Sequence, residues 1–198
     1  MGAAGVASRF TAHGLDVIAY DSRAHGESGG AFCTYGYFEK GDLRRVVDTL
    51  PSGPVAVIGT SLGAAIAMQT AAEDSRITTV VAAEIFSDLA TVARERAPFF
   101  LTDDVIERSL ESAEQRGSFD IRAVNPSHAA RRITVPVMLI HGALDTDTSP
   151  EHSKRVYANL RGPKRLLLVE GAGHNESLGA GAAWREIEDW ILGRNSRL

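Results

Sequence analysis

Short apolar runs alternate with helical patterns along most of this 198-residue chain. Near-continuous apolar strands separated by helices are typical of a parallel sheet that is covered on both faces. The sequence predicts five strands, at Leu15–Tyr20, Val55–Gly59, Ile77–Ile85, Pro136–Gly142 and Arg165–Glu170. It predicts helices at 2–13, 38–50, 62–73, 88–97, 103–116, 150–161 and 182–193, and an irregular segment around Pro126. We therefore expect one α/β domain over 1–198, with its ligands beyond the carboxyl ends of the strands.

The composition and charge of the chain argue against several classes of function. A net charge of −4 argues against nucleic acid as the main partner, and a single cysteine, Cys33, excludes an internal disulfide and a Cys-rich metal site. No run of 18 apolar residues exists, and the first residues lack a basic stretch followed by an apolar core, so we expect no membrane segment and no secretory signal. We expect a cytoplasmic location, and a signal N-terminal to this sequence is the alternative left open. Abundant arginine and alanine favour a GC-rich, bacterial genome.

The segment Gly59-Thr60-Ser61-Leu62-Gly63 matches the pattern G-x-S-x-G, with an apolar strand before it and a small-residue helix after it. A sharp strand-to-helix turn exposes a serine hydroxyl for nucleophilic attack, and small flanking residues let strand and helix pass closely. The backbone N–H of Leu62 would then point at a developing oxyanion. The bare pentapeptide also fits an ordinary glycine-rich turn with a capping serine, but its context favours a nucleophile.

His174 follows the last predicted strand in the sequence GAGHN, where flexible glycines let an imidazole reach a serine on another strand. A surface-loop histidine is the alternative. Among the other histidines, His141 ends an apolar strand and is expected to pack there, while His25 lies in a turn and has an expected structural role. The remaining three, on helices or polar segments, are predicted to face solvent: His13, His128 and His152.

A serine–histidine pair also needs a carboxylate that orients the imidazole. Asp145 lies three residues beyond the fourth predicted strand, and Asp147 lies two further on. We favour Asp145 because it is nearer the strand end, with Asp147 as a turn or cap residue, and Asp88 is a weaker candidate. Nucleophile, acid and base then occur in the chain order that is found in α/β-hydrolases.

The segments that carry these residues resemble the α/β-hydrolase superfamily: VIAYDSRAHGESGG, VAVIGTSLGAA, PVMLIHGALDTDTSPEHS and GAGHN. The tract YGYFE with Asp42-Leu43, together with SPEHS, resembles the branch of prolyl-oligopeptidase-like (S9-like) serine hydrolases and their small monoacyl esterase relatives. The resemblance implies Ser61 as nucleophile, Asp145 as acid, His174 as base and the Leu62 N–H as an oxyanion donor. It implies an acyl-enzyme, with no metal and no organic cofactor.

The chain departs from this family at its N-terminal side. Relatives begin with further strands, one of which ends in a His-Gly-type loop that supplies a second oxyanion N–H. Here the sequence MGAAG resembles only the tail of that loop, so we expect the chain to be N-terminally incomplete, with Gly2 or Ala3 as the candidate second donor and Gly26 as a weaker one. Without the central strand, Leu15–Tyr20 must pair directly with Val55–Gly59, or a groove stays open.

The function expected from these residues is hydrolysis of a carboxylic ester or thioester of a small acyl substrate. The alternatives are a small serine peptidase, an inactive truncated product of such an enzyme, and a binding module that has lost the chemistry. Residues 86–134 are a candidate helical lid. Side chains in or beside it are candidates for an acyl pocket, although they could equally pack the helices onto the sheet: Ile85, Phe86, Phe99, Phe100 and Leu101.

Overall fold

The computed structural model describes residues 3–179 and 181–193 of the chain. Over these residues it has four strands, which are β1 (Val55–Thr60), β2 (Ile77–Ala83), β3 (Val137–Gly142) and β4 (Lys164–Val169). The helices of the same ranges are α1 (Ala3–Thr11), α2 (Glu39–Asp48), α3 (Leu62–Ala71), α4 (Leu89–Glu95), α5 (Asp103–Gly117), α6 (Pro126–Ala130), α7 (Pro150–Asn159) and α8 (Gly181–Ile191). Short 3-10 helices occur at Ile121–Ala123 and Ser177–Gly179.

All strand pairs of the sheet are parallel, and the strand order is β1-β2-β3-β4. In the register, Thr60 lies opposite Ala83, and Ala83 lies opposite Ile140. The carboxyl ends of β1, β2 and β3 therefore meet at one edge of the sheet. This is the edge from which the loops after β1 and β3 project.

Alternate residues of the inner strands enter apolar clusters on opposite faces of the sheet, as the period of two in a strand requires. Val80 and Leu139 pack on one face with side chains from α3, α6 and α7. Val81 and Met138 pack on the other face with α1 and α8, where Trp184 is almost fully buried. The predicted parallel sheet with helices on both faces is confirmed.

The first predicted strand is not formed. Residues 15–20 carry no strand assignment, and Leu15, Ile18 and Tyr20 remain between 38% and 52% exposed. A strand exists only when a neighbour completes its ladder of hydrogen bonds, and β2 is the ladder partner of β1 among the described residues. Of the two alternatives that the sequence left open, direct pairing of Leu15–Tyr20 with β1 is therefore wrong, and the sheet has four strands rather than about five.

The end of β2 and the segment around Pro126 also differ from the sequence prediction. Strand β2 ends at Ala83 rather than Ile85, because Glu84 adopts a positive φ of 48° that turns the chain out of the sheet. The segment around Pro126 is helical rather than irregular. Pro126 occupies the first turn of α6, and the side chain of Asn125 caps the helix by accepting from the His128 N–H at 2.7 Å.

Residues 86–134 lie over the N-terminal part of α3. Leu89 and Val92 of α4 are buried together with Ile121, Val124 and Ala65. None of the side chains of α5 is buried, so this helix lies on the outer side of the segment. Ile85 is buried in the sheet core rather than in a pocket. The role of the segment as a lid remains a prediction.

Candidate active site

Ser61 occupies the turn between β1 and α3 in a strained backbone conformation. Its φ of 49° and ψ of −111° lie outside the regions that a serine normally adopts, at a cost of about 1–3 kcal/mol. The turn is held on both sides, since the Ser61 N–H donates to the Ala83 carbonyl at 2.8 Å and the Ser61 carbonyl accepts from the Ala65 N–H at 3.1 Å. These contacts hold the serine where strand and helix meet.

The two glycines of the G-x-S-x-G segment have different steric surroundings. A Cβ built on Gly59 would lie 2.3 Å from the backbone carbon and oxygen of Gly63, which cannot move aside. A Cβ built on Gly63 would meet no atom within 4 Å. The expected close passage of strand and helix therefore requires glycine at position 59, whereas position 63 has room for a methyl group.

His174 lies between the side chains of Ser61 and Asp145. Its Nδ1 is 2.7 Å from Asp145 Oδ2, and its Nε2 is 3.2 Å from Ser61 Oγ. A carboxylate can only accept, so Nδ1–H donates to Asp145 and leaves Nε2 free to accept the serine proton. The loop that carries His174 approaches the end of β3 closely, and a Cβ on Gly142 would lie 2.4 Å from the Ala172 oxygen.

The carboxylate of Asp145 is buried and held by donors on both oxygens. Oδ1 accepts from the backbone N–H groups of Asp147 at 3.0 Å and Thr148 at 2.8 Å, and Oδ2 faces His174. The side chain of Asp147 is exposed instead, so the structure brings Asp145 and not Asp147 to the histidine. Asp88 caps α4 by accepting from the Thr91 N–H at 2.8 Å.

His141 is buried beside the same carboxylate. Its Nε2 lies 2.8 Å from the Thr148 carbonyl and 3.2 Å from Asp145 Oδ2, and its Nδ1 lies 2.6 Å from Ser153 Oγ. The assignment that satisfies these partners has Nε2–H donating to Thr148 and Nδ1 accepting from the serine hydroxyl. His141 thus packs at the strand end and also holds the loop on which Asp145 depends.

The other histidines divide between the surface and one buried contact. His13 and His128 are exposed, as predicted. His25 is also exposed, and its Nδ1 lies 2.9 Å from the Arg23 carbonyl within its turn. The solvent-facing prediction for His152 is wrong, because its side chain is completely buried. Its Nδ1 accepts from the Ser87 N–H at 3.0 Å, and its Nε2 lies 2.6 Å from Glu95 Oε2, which ties α7 to α4.

A cavity of about 300 Å³ opens at Ser61. Its lining is mainly apolar and includes Leu62, Phe86, Leu89 and Val92. Phe99 and Phe100 do not belong to this lining, which corrects their assignment to the acyl pocket. They lie beyond α4, are 100% and 72% exposed, and contact each other edge to face, since no core surface reaches them.

The candidate oxyanion donors are backbone N–H groups. The N–H of Leu62 is the first of helix α3, where backbone N–H groups have no partner within the helix. Gly2 lies outside the described residues, and Ala3 is the first residue of α1. Gly26 lies in a turn in which a Cβ would clash with the Asp21 carboxylate.

Sequence reasoning missed two charged residues at this edge of the sheet. Glu84 is fully buried and accepts from the Thr60 hydroxyl at 2.7 Å and from the Ser177 N–H at 3.0 Å. Its signal was a lone acid at the end of an apolar strand. Arg96 lies 3.5 Å from His174 Nε2 and lines the cavity, and no local pattern marks it.

A metal site requires a group of ligand side chains, and a membrane-spanning helix requires length and apolar residues. Within 3–179 and 181–193, no three His, Cys, Asp or Glu side chains are grouped as a metal site would require. No helix of those ranges is both long and apolar enough to cross a membrane.

Two curated bacterial proteins are similar to this chain in sequence. The uncharacterized protein YqkD of Bacillus subtilis is 29% identical over 182 residues, which cover 81% of this chain and 56% of that protein. The uncharacterized protein YfhR of Escherichia coli K12 is 26% identical over 190 residues, which cover 90% of this chain and 61% of that protein. The chain therefore spans only a little over half the length of these relatives.

Solved structures of esterases share the fold. The esterase Pf2001 of Pyrococcus furiosus is 26% identical with a TM-score of 0.66, over 88% of this chain and 68% of that one. Acetyl xylan esterase 1 of Thermoanaerobacterium has a TM-score of 0.73 over 96% of this chain and 69% of that one, but at 18% identity it shows the fold alone. A sequence profile described as the alpha/beta hydrolase fold matches residues 4–131, more than half of the chain. The chain therefore belongs to the alpha/beta hydrolase family.

Proposed function

We propose that the chain is a serine hydrolase that cleaves a carboxylic ester or thioester of a small acyl substrate. The observation that carries this proposal is the hydrogen-bonded series from Ser61 Oγ to His174 Nε2 and from His174 Nδ1 to the buried Asp145. Ser61 is the nucleophile, His174 the general base and acid, and Asp145 the group that orients the imidazole and stabilises its protonated form.

The reaction follows from these positions. Ser61 Oγ attacks the carbonyl carbon while His174 Nε2 takes its proton, and the Leu62 N–H donates to the oxyanion. The carbon–oxygen bond to the leaving alcohol then breaks as Nε2 returns the proton to that oxygen. Water attacks the acyl-enzyme by the same proton route and releases the acid. The loss of one oxyanion donor typically lowers the rate by about 10²–10³-fold. Because the Leu62 N–H is a single donor, we propose the backbone N–H of Gly2 or Ala3 as the second.

An apolar cavity beside the nucleophile supports an acyl substrate with a hydrocarbon portion, which Phe86 would contact. The structural similarity to the esterase Pf2001, at 26% identity, supports the same class of reaction. Segment 86–134 supplies much of this lining and would act as the lid. The alternative within the same chemistry is a small peptidase of the S9-like branch that the sequence resembles.

A fluorophosphonate probe tests the nucleophile, because an activated serine displaces its fluoride and keeps the phosphonyl group. We expect peptide mapping to find the label on Ser61, and we expect Ser61→Ala to remove it. Ser109→Ala is the matched control, since Ser109 lies on the exposed helix α5 and bonds only its own helix there. A label that survives Ser61→Ala contradicts the assignment.

Turnover of 4-nitrophenyl butyrate and of butyryl 4-nitroanilide separates esterase from peptidase. We expect hydrolysis of the ester with a higher kcat/KM than the anilide, and a faster anilide would favour the peptidase. A chain that melts cooperatively by circular dichroism, yet neither reacts with the probe nor hydrolyses either substrate, would be the inactive alternative.

A further inference from the structure

Arg96 ends helix α4 with its guanidinium held beside the catalytic pocket. Its Nε–H donates to the Asp147 carbonyl at 2.8 Å, and Nη2 donates to Thr148 Oγ1 at 2.6 Å. Both acceptors are uncharged, and they lie in the loop that carries Asp145. These two bonds orient the guanidinium and leave Nη1 without a partner in the part of the chain that the structure describes.

The charge of Arg96 is not neutralised by its neighbours. Arg94 pairs with Glu107 at 2.7 Å, and Glu95 is engaged by His152 at 2.6 Å. Across the described ranges, no Asp or Glu carboxylate forms an ion pair with Arg96. An oriented guanidinium with free N–H groups and no counter-ion is suited to bidentate recognition of a carboxylate or phosphate.

The cavity lining has the opposite charge balance from the whole chain. It includes Arg96 and Arg116 and contains no Asp or Glu, although the chain has 25 acidic and 21 basic residues. The remaining lining is apolar or uncharged. A ligand that enters this cavity therefore meets positive charge and no carboxylate, and because both arginines are exposed, solvent screens part of this charge.

The distance from Arg96 to the reacting atoms indicates which part of a substrate it would contact. Nη2 lies 3.5 Å from His174 Nε2, which lies 3.2 Å from Ser61 Oγ. The leaving oxygen takes its proton from Nε2, so it must come within about 2.6–3.2 Å of that atom. A group two or three bonds beyond the leaving oxygen is therefore within reach of the guanidinium.

We propose that the substrate carries an anionic group, a carboxylate or a phosphate, on its alcohol portion close to the scissile oxygen, and that Arg96 binds this group. This inference rests on the proposed function and adds the class of ester. Arg96 is then a binding residue for the substrate as well as an anchor for the loop after β3.

The test compares the butyryl esters of glycolate and of glycolamide, which differ only by a carboxylate against a carboxamide. We expect wild-type kcat/KM to favour the glycolate ester by about tenfold or more, in line with the strength of charge-assisted hydrogen bonds. Arg96→Gln should abolish this preference, and Arg96→Lys should keep part of it. Arg94→Gln is the matched control, because it removes the same charge from the same helix and should leave the preference unchanged.

Several outcomes separate the possibilities. Equal kcat/KM for both esters in the wild type overturns the inference. It is also overturned if Arg96→Gln lowers kcat/KM by the same factor for both esters, because Arg96 would then be only a structural anchor. Ser61 labelling and neutral-ester turnover are measured on the same samples, so the loss of both identifies failure of the proposed function. If Ser61 is labelled without any turnover, the two esters are compared as protectants of Ser61 against the probe. Stronger protection by the glycolate ester than by the glycolamide ester supports the inference, and equal protection overturns it.

Discussion

The Thr60 hydroxyl donates to the buried Glu84 carboxylate at 2.7 Å, joining the residue before Ser61 to the end of the neighbouring strand. The other oxygen of the same carboxylate accepts from the Ser177 N–H at 3.0 Å, just beyond the loop of His174. One side chain thus links the turn that contains Ser61 to the segment that follows His174. Glu84 is a positioning residue in this arrangement, because it touches neither Ser61 nor His174.

We expect Glu84→Leu to lower the free energy of unfolding by roughly 1–3 kcal/mol, since it leaves the Ser177 N–H buried without a partner. Glu84→Gln should keep most of the stability, because its amide oxygen can accept from Ser177 while the Thr60 hydroxyl donates to Asn175 Oδ1, now 3.2 Å away. Urea titration of the three proteins measures this. A Glu84→Leu variant as stable as the wild type would show that the link has no energetic role.

Gly59→Ala should destabilise the chain by about 1–3 kcal/mol or more, because its Cβ would lie 2.3 Å from the backbone of Gly63. Gly63→Ala is the control within the same segment, since its methyl group enters open space and alanine favours the helix by up to about 1 kcal/mol. Thermal melts by circular dichroism compare the two. Equal losses at both positions would contradict a close contact between Gly59 and the Gly63 backbone.

Asp145→Asn should lower kcat by roughly 10⁴-fold, the effect of forcing the wrong imidazole tautomer. The amide oxygen would accept the N–H groups of Asp147 and Thr148, and the amide nitrogen would then face His174 Nδ1 as a donor. The imidazole would be protonated on Nε2 and could not accept the serine proton. Asp147→Asn, at an exposed side chain, should retain activity. The reverse result in ester hydrolysis would make Asp147 the acid.

Stability should depend on pH through Asp42. The Arg23 guanidinium, which donates to this carboxylate at 2.5 and 2.8 Å, lowers the pKa of Asp42 below its usual range. A depressed folded-state pKa stabilises the fold above the unfolded pKa, near 4, and this contribution is lost as pH falls through the folded value. For a partly exposed pair such as this we expect at most about 1 kcal/mol.

Urea midpoints at pH 7 and pH 3 test this sign. Asp42→Asn should be less stable than the wild type at pH 7 and close to it at pH 3. Asp16→Asn, at an exposed aspartate, should show no such convergence. A difference between Asp42→Asn and the wild type that is unchanged at pH 3 would rule out the Arg23 pair as its source.

The Cys33 thiol should react slowly with a disulfide reagent at pH 7. Burial is the main reason that the pKa of Cys33 is raised, and a raised pKa leaves less thiolate, which is the reactive form. The urea-unfolded chain, with an ordinary pKa and full access, should react faster at the same pH. Colorimetric rates for the folded and unfolded chains check this, and equal rates would contradict it.

The sequence by itself determined the alternation of strands and helices. That alternation predicts the parallel sheet and places the candidate site residues at the carboxyl ends of its strands. It also indicated the turn at Ser61, because an apolar strand, a small-residue turn and a helix are contiguous, and contiguous patterns report local structure directly. His174 and the pair Asp145 and Asp147 could be named as candidates for a similar reason, since each follows a predicted strand.

Only the tertiary structure decided which of these groups meet. The choice between Asp145 and Asp147 depends on how two backbone N–H groups and His141 orient one carboxylate. Arg96 lies at the site because it donates to the carbonyl of Asp147, which is 51 residues away in the sequence. Residues 15–20 have a strand pattern but form no ladder, because a strand needs a partner as well as a sequence. Contacts between distant segments arise from packing and hydrogen-bond satisfaction across the whole fold, which no local pattern encodes.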